Sequence, residues 1–207
     1  ESDLVYEQQM LDREALDEGL KFRQFTGPFL ERAAIQRKVA VALLGKDTLM
    51  VHGSTVSVDG CAYLFAAPCG TGKSTHTRLW RELFGERAVM VNDDKPLLKV
   101  TESAVYACGT PWDGKHHLST NCIVPLKGIC ILERGEQNSI VSVPAKEALP
   151  MLLQQSHRPS NPFGLAQLLT VIDTLTKHVS FYRLKCNMEP EAALVAYEGM
   201  QKKGSLK

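Results

Sequence analysis

The feature that most constrains this chain is a glycine-containing loop between a strand pattern and a helix pattern. Residues 67–75 read A-P-C-G-T-G-K-S-T. The apolar run over residues 61–66 predicts a buried strand before the loop, and the apolar spacing over residues 74–84 predicts a helix after it. Glycines let the backbone turn its N–H groups inward, and a helix N-terminus adds a partial positive charge. This order of elements predicts an α/β fold with an anion-binding loop.

The spacing of the loop matches the P-loop pattern, with Ala67 in place of the first glycine. Such a loop holds the phosphates of ATP: Lys73 would contact the outer phosphates, and the Ser74 hydroxyl would ligate Mg²⁺. The residues predicted to bind the cofactor ATP are Cys69, Gly70, Thr71, Gly72, Lys73, Ser74 and Thr75. The alternative is a glycine turn that only caps the following helix.

Length and composition favour one main domain. The chain has 207 residues, of which 44% are hydrophobic, so we expect a peripheral helical segment over residues 1–26 and a single domain over residues 27–207. A net charge of +1 creates no field that would recruit nucleic acid. No apolar run approaches the roughly 20 residues that cross a membrane, and we expect a cytoplasmic protein. Six cysteines without C-x-x-C spacing favour reduced thiols over a zinc site or disulfides.

Apolar periodicity and turn residues predict a mixed β-sheet with flanking helices. Strands are predicted over residues 48–51, 55–58, 61–66, 88–91, 97–100, 104–108, 123–132, 139–143 and 180–184. Helices are predicted over residues 29–44, 74–84, 145–155, 165–178 and 190–201. Asp59-Gly60 is a hairpin signal that leads into the strand before the loop.

Two adjacent carboxylates, Asp93 and Asp94, follow the strand predicted over residues 88–91. In α/β sheets, ligands bind beyond the carboxyl ends of strands. Roughly 20 residues after a P-loop, such a pair suits phosphoryl transfer, in which one carboxylate holds Mg²⁺ and the other accepts a proton from the attacking hydroxyl. The alternative is a solvated acidic turn before Lys95-Pro96.

Two further regions carry residue types that suit a substrate site. The loop over residues 109–117 contains Trp112, Lys115 and His116, which could stack on a substrate or meet its negative charge. An ordinary surface connection is an equal alternative. Arg134, placed just past a strand, is a candidate for stabilising the charge of the transferred phosphoryl group, and a solvated strand end is the alternative.

The block M-V-H-G-S-T-V-S-V-D-G-C-A-Y-L-F-A-A-P-C-G-T-G-K-S-T, followed by V-N-D-D, resembles the bacterial HPr kinase/phosphorylase family. The same core is similar to that of ATP-dependent phosphoenolpyruvate carboxykinases. The resemblance implies the fold of the HPr kinase C-terminal domain. It also implies Asp93 as general base, Asp94 as metal ligand and His52 near the transferred phosphoryl group. Because related enzymes form hexamers, a homo-oligomer is also implied.

The chain departs from true HPr kinases in two places. Thr75 stands where those kinases carry an acidic residue, and G-T-P-W-D-G-K-H-H replaces an arginine-glycine stretch. In size the chain is more similar to a smaller group of HPr-kinase-like proteins, including kinases that phosphorylate precursor peptides during lasso-peptide tailoring. We therefore expect a Mg²⁺- and ATP-dependent kinase that phosphorylates a hydroxyl, preferably a serine, of a protein or peptide partner. The alternatives are a small-molecule kinase with the same site and a non-catalytic ATP-binding regulatory protein.

Overall fold

The helices and strands begin and end close to the turn residues of the sequence. The computed structural model describes residues 27–201, so the segment expected over residues 1–26 lies outside the described part. The helices are α1 (Gly27–Leu44), α2 (Lys73–Phe84), α3 (Ala145–Gln155), α4 (Pro162–His178) and α5 (Glu191–Gln201). The strands are β1 (Thr48–Met50), β2 (Ser54–Val58), β3 (Cys61–Ala66), β4 (Ala88–Asn92), β5 (Leu97–Val100), β6 (Val105–Cys108), β7 (Ile123–Arg134), β8 (Ser139–Val143) and β9 (Ser180–Cys186). Short 3₁₀ turns cover Gly85–Arg87 and Gly114–His116.

The described strands join into one mixed sheet, as predicted. Its larger part has the order β4-β2-β3-β7-β9-β8, in which β7 is parallel to both β3 and β9. The smaller part, β1-β5-β6, is antiparallel and joins the larger part through the first residues of β7. The long β7 strand therefore belongs to both parts and holds them together.

Helices cover both faces of the sheet because neighbouring residues of each strand point to opposite sides. In β3, Ala62 and Leu64 pack with residues of α3 and α4, whereas Tyr63 and Phe65 pack with residues of α2 and α5. A fully buried aromatic side chain, Trp80, lies between the sheet and helix α5, where it packs against Tyr63 and Phe65. Its burial fixes α2, and with it the start of that helix, against the sheet.

Strands β7 and β9 each run two residues further than the sequence predicted. The prediction ended the seventh strand at residue 132 and placed Arg134 past it, but β7 continues to Arg134. It continues because β9 is also longer and pairs with it up to Arg134 and Cys186. Within residues 27–201, no helix is both long and apolar enough to cross a membrane.

Candidate active site

Three chain segments meet at one edge of the sheet because of the strand directions. β2 is antiparallel to both β3 and β4, so β3 and β4 are parallel and end at the same edge. The chain enters β2 at that edge, two residues after His52. The glycine loop, residues 67–72, therefore leaves the sheet beside Asp93. A cavity of about 450 Å³ lies between the loop and the carboxylate pair Asp93 and Asp94. We call it the dyad cavity, after these two carboxylates.

The dyad cavity is lined by most of the site residues that the sequence predicted. They are His52, Cys69, Gly70, Gly72, Lys73, Ser74, Thr75, Asp93, Asp94, Lys115 and His116, and Gly114 completes the lining. Thr71 lies in the same loop but lines a second cavity on the other side. The loop, the carboxylates and the basic side chains thus line one cavity, although His52 and His116 are 64 positions apart in the sequence.

The glycine loop owes its shape to backbone conformations that favour glycine. Gly70 has φ +78° and Gly72 has φ +121°, both in the region that L side chains rarely adopt. Gly72 caps helix α2 without any side-chain hydrogen bond, and the first intrahelical bond runs from the His76 N–H to the Gly72 carbonyl. The N–H groups at the start of α2 are therefore not used within the helix, and they lie beside the dyad cavity.

Lys73 is folded back over the loop. Its Nζ donates hydrogen bonds to the carbonyl oxygens of Ala67, at 2.8 Å, and Pro68, at 3.4 Å. Burial lowers the pKa of the Lys73 ammonium from its ordinary value, and the neighbouring charges of Cys69 and Asp94 oppose that effect. The ammonium is thus held at the wall of the cavity, where an anion would be an additional partner.

The two carboxylates, Asp93 and Asp94, have different surroundings. Asp93 is 8% exposed, and its Oδ1 accepts a hydrogen bond from the Ser54 hydroxyl at 2.6 Å. Asp94 is more exposed, and its Oδ1 lies 3.0 Å from Lys95 Nζ and 3.4 Å from His52 Nε2. Asp93 is therefore shielded and held by a neutral hydroxyl, whereas Asp94 faces two basic groups.

His52 is neutral at physiological pH in this setting. Burial lowers its pKa to about 4, and the charges of Lys95 and Lys73 add to the effect, against a smaller opposing contribution from Asp94. Its backbone N–H donates to the Gln155 carbonyl at 2.7 Å, which ties it to the end of α3. His52 therefore presents a neutral imidazole next to Asp94.

Asn92 fixes the turn that carries the carboxylates. Its Oδ1 accepts from the backbone N–H groups of Asp94, at 2.9 Å, and Lys95, at 2.7 Å. Its Nδ2 donates to the carbonyl and hydroxyl oxygens of Thr110, at 2.9 and 3.0 Å. The same side chain thus shapes the carboxylate turn and attaches the loop over residues 109–121 to it.

That loop is held close to the carboxylates by backbone contacts. The Asp93 N–H donates to the Leu118 carbonyl at 3.0 Å, and the Thr120 N–H donates to the Val91 carbonyl at 3.2 Å. Lys115 and His116 line the dyad cavity and are exposed. Trp112 is half-buried, and its carbonyl accepts from the Lys95 N–H, but its side chain lines neither cavity. The loop therefore brings two of its three predicted substrate residues to the site.

Arg134 lies on the other side of the glycine loop. Its Nη2 donates to the Gly70 carbonyl at 2.6 Å, and its Nε donates to the Thr71 carbonyl at 3.3 Å. It lines the second cavity, of about 420 Å³, together with Leu79, Leu132 and Met188. The structure thus places Arg134 behind the loop rather than among the residues of the dyad cavity.

Sequence reasoning missed two hydroxyl groups behind Asp93. Ser54 and Thr77 are buried, and their oxygens are 2.8 Å apart. The available signals were the polar residues of H-G-S-T, which include Ser54, and the position of Thr77 three residues after Ser74 on a helix. Neither signal shows that β2 and α2 bring Ser54 and Thr77 together. The role of Asn92 could have been read from V-N-D-D, since asparagine often shapes such turns.

Comparisons with known proteins give one family. The family model described as "ScmC: SynChlorMet cassette protein ScmC" matches residues 31–191, well over half of the chain. Among solved structures, the chain is similar to the Hpr(Ser) kinase/phosphatase from Coxiella burnetii, with 11% identity and a TM-score of 0.39, over 74% of this chain and 97% of that one. A TM-score this low carries no argument, so the resemblance seen in the motifs remains a prediction. No curated protein matches the chain.

Proposed function

The chain belongs to the ScmC family, and we propose that it is a Mg²⁺- and ATP-dependent kinase that phosphorylates a serine hydroxyl of a protein or peptide. One observation carries this proposal. The glycine loop with Lys73 and the carboxylates Asp93 and Asp94 line the same cavity of about 450 Å³. A passive nucleotide-binding site needs the loop, but it does not need a shielded carboxylate that can accept a proton.

The residues present fit a bound nucleotide. The loop glycines, the uncapped start of α2 and the Lys73 ammonium supply donors and positive charge for a polyphosphate. The second cavity shares Gly70, Gly72 and Thr75 with the dyad cavity, and part of its wall is apolar. It suits the nucleoside, and Arg134 would hold the loop between the two halves of the ligand.

The donor set also fits Mg²⁺. Ser74 and Asp94 line the dyad cavity and offer a hydroxyl and a carboxylate oxygen. In residues 27–201 there is no group of three His, Cys, Asp or Glu side chains that could hold a metal alone. Mg²⁺ commonly binds through one or two protein oxygens together with nucleotide phosphates and water. When bound, it would neutralise part of the charge on the transferred phosphoryl group.

Asp93 acts as the general base in this mechanism. It accepts the proton of the acceptor hydroxyl while that oxygen forms a bond to the γ-phosphorus, and the bond from the γ-phosphorus to the bridging oxygen of ADP breaks. Lys73 and the N–H groups of the loop stabilise the negative charge on the phosphates. His52, being neutral, can donate or accept a hydrogen bond at the acceptor without adding charge.

The acceptor side of the cavity is basic. Lys115 and His116 lie on the wall formed by the loop over residues 109–121. These side chains would contact the acceptor or the phosphate that it receives. Because the family description names a cassette, the products of the same cassette are the first acceptors to test.

The test measures transfer of label from γ-³²P-ATP, with Mg²⁺, to cassette products and to a set of serine-containing peptides. We expect labelled phosphoserine with the wild-type chain. Asp93→Asn should lose at least 100-fold in kcat while binding ATP normally, because the amide cannot accept the proton. Lys73→Ala should weaken ATP binding by calorimetry. The matched control is Asp173→Asn, which changes an exposed carboxylate on α4 and should turn over like the wild type.

Four outcomes would contradict the proposal. Normal turnover by Asp93→Asn would remove the general base, and unchanged ATP affinity in Lys73→Ala would remove the phosphate site. Label that appears only on metabolites would indicate a small-molecule kinase. ATP binding without transfer to any acceptor would indicate a regulatory ATP-binding protein.

A further inference from the structure

We infer that Ser54 and Thr77 are positioning residues that hold Asp93 in the orientation needed for proton transfer. The inference rests on the proposed function, in which Asp93 is the general base. It comes from three side chains that are almost completely buried: Ser54 is 0%, Thr77 1% and Asp93 8% exposed. They belong to β2, to α2 and to the turn after β4, so three elements meet at this point.

The direction of the hydrogen bonds follows from their chemistry. An ionised carboxylate only accepts hydrogen bonds, so the Ser54 proton points to Asp93 Oδ1, 2.6 Å away. A serine hydroxyl has one proton, so the 2.8 Å contact between Ser54 Oγ and Thr77 Oγ1 must use the Thr77 proton. The Thr77 oxygen lies 3.3 Å from the Lys73 and Ser74 carbonyls, which are weaker acceptors at that distance. The result is a chain of donors, Thr77 to Ser54 to Asp93.

This chain leaves one oxygen of Asp93 for the substrate. Because Ser54 holds Oδ1, the carboxylate cannot rotate freely, and Oδ2 is the oxygen available for the proton of the acceptor hydroxyl. Thr77 belongs to the first turns of α2, which begins at Lys73. The donor chain therefore fixes the base relative to the loop proposed to hold the phosphates, and placement of reacting groups within a fraction of an ångström governs the rate of such steps.

The adjacent residue on β2 provides a control. Thr55 is 0% exposed, like Ser54, and points to the opposite face of the sheet. Within the described residues, the Thr55 hydroxyl has no hydrogen-bond partner. Thr55→Val has nearly the same shape and should leave kcat unchanged, whereas Ser54→Ala removes the hydroxyl that donates a hydrogen bond to Asp93.

The experiment compares Ser54→Ala, Thr77→Val, Thr77→Ser and Thr55→Val in the full chain. The probe reaction is Mg·ATP turnover, with water or the serine peptide as acceptor, and ATP affinity is measured by calorimetry. Ser54→Ala should lower kcat about 10- to 100-fold, the range expected for losing a hydrogen bond to a charged group. ATP affinity and KM for ATP should stay unchanged. Thr77→Val should show a smaller loss, and Thr77→Ser, which keeps the hydroxyl, should restore the rate.

A second measurement is independent of turnover. A double-mutant cycle of Ser54→Ala with Asp93→Ala, measured as urea midpoints, should show clear non-additivity because the two side chains are in contact. Additive midpoints, or Ser54→Ala and Thr55→Val variants with equal kcat, would overturn the inference. If the wild type transfers no phosphoryl group but the cycle is non-additive, the proposed function is wrong, whereas the stabilising contact of Ser54 with Asp93 is confirmed.

Discussion

Acidification should destabilise the fold through His76, a buried histidine on α2. The Trp80 Nε1–H donates to His76 Nε2 at 3.0 Å. Trp80 can only donate, so Nε2 carries no proton and the ring is neutral. Protonation would place a second donor against Trp80 in a site where the His76 side chain is 3% exposed. Burial accordingly lowers the pKa of His76 to about 4.

The size and sign of the effect follow from that pKa. Above pH 6.5 the histidine is neutral in both the folded and the unfolded chain, so the stability is fully present. As the pH falls towards 4, His76 binds a proton in the unfolded chain but not in the folded chain. The free energy of unfolding therefore decreases. With 1.36 kcal/mol for each pH unit, the loss is about 2 kcal/mol at pH 5 and about 3 kcal/mol at pH 4.

The assay is urea denaturation followed by circular dichroism at pH 7.5, 6 and 5. His76→Gln keeps an oxygen that can accept from Trp80 but does not titrate, so the wild type should lose about 2 kcal/mol more than this variant between pH 7.5 and 5. His178→Gln, at the exposed end of α4, should lose stability like the wild type. A parallel loss in the wild type and His76→Gln would refute the reasoning.

Further changes test the loops around the site. Gly109→Ala should lower the free energy of unfolding, measured in urea, by about 2 kcal/mol, because a Cβ there would lie 1.9 Å from the Thr120 carbonyl oxygen. The control is Gly45→Ala, which should be nearly neutral because the nearest contacts of its Cβ are at 3.7 Å. Equal losses of stability in the two variants would contradict this explanation. Arg134→Gln should weaken ATP binding about threefold without abolishing turnover, because it removes two hydrogen bonds from exposed loop carbonyls. Total loss of turnover would instead favour a direct catalytic role for Arg134. Chelation of Mg²⁺ with EDTA should stop phosphoryl transfer and leave the circular dichroism spectrum unchanged, and unfolding on chelation would contradict the proposed metal role.

Much of the fold could be predicted because turn residues mark the ends of most elements. The Asp59-Gly60 turn adopts positive φ at both residues and joins β2 to β3, as the hairpin signal predicted. The apolar run before the glycine loop matches β3 over Cys61–Ala66, and the helix after the loop ends where Gly85 begins. These signals are local, so they can be read without knowing the sheet order.

The parts of the site that depend on strand pairing could not be predicted. Ser54 contacts Asp93 only because β2 lies between β3 and β4 and enters the sheet at the edge where both end. The contact of Arg134 with the loop depends on the parallel pairing of β7 with β3. Sequence spacing predicts Lys73 and Asp93 as partners in one reaction. It does not show that Ser54, 39 residues before Asp93, contacts that carboxylate, or that Arg134, 64 residues after Gly70, contacts the loop.

The structure of a complex with Mg²⁺ and the non-hydrolysable analogue β,γ-imido-ATP would test the central claim most directly. We expect the phosphates to lie in the dyad cavity, with Lys73 on the outer phosphates and the γ-phosphate next to Asp93. The nucleoside should lie in the second cavity, beside Arg134. An analogue bound away from the glycine loop, or bound there with its γ-phosphate out of reach of Asp93, would contradict the claim that loop and carboxylates form one phosphoryl-transfer site.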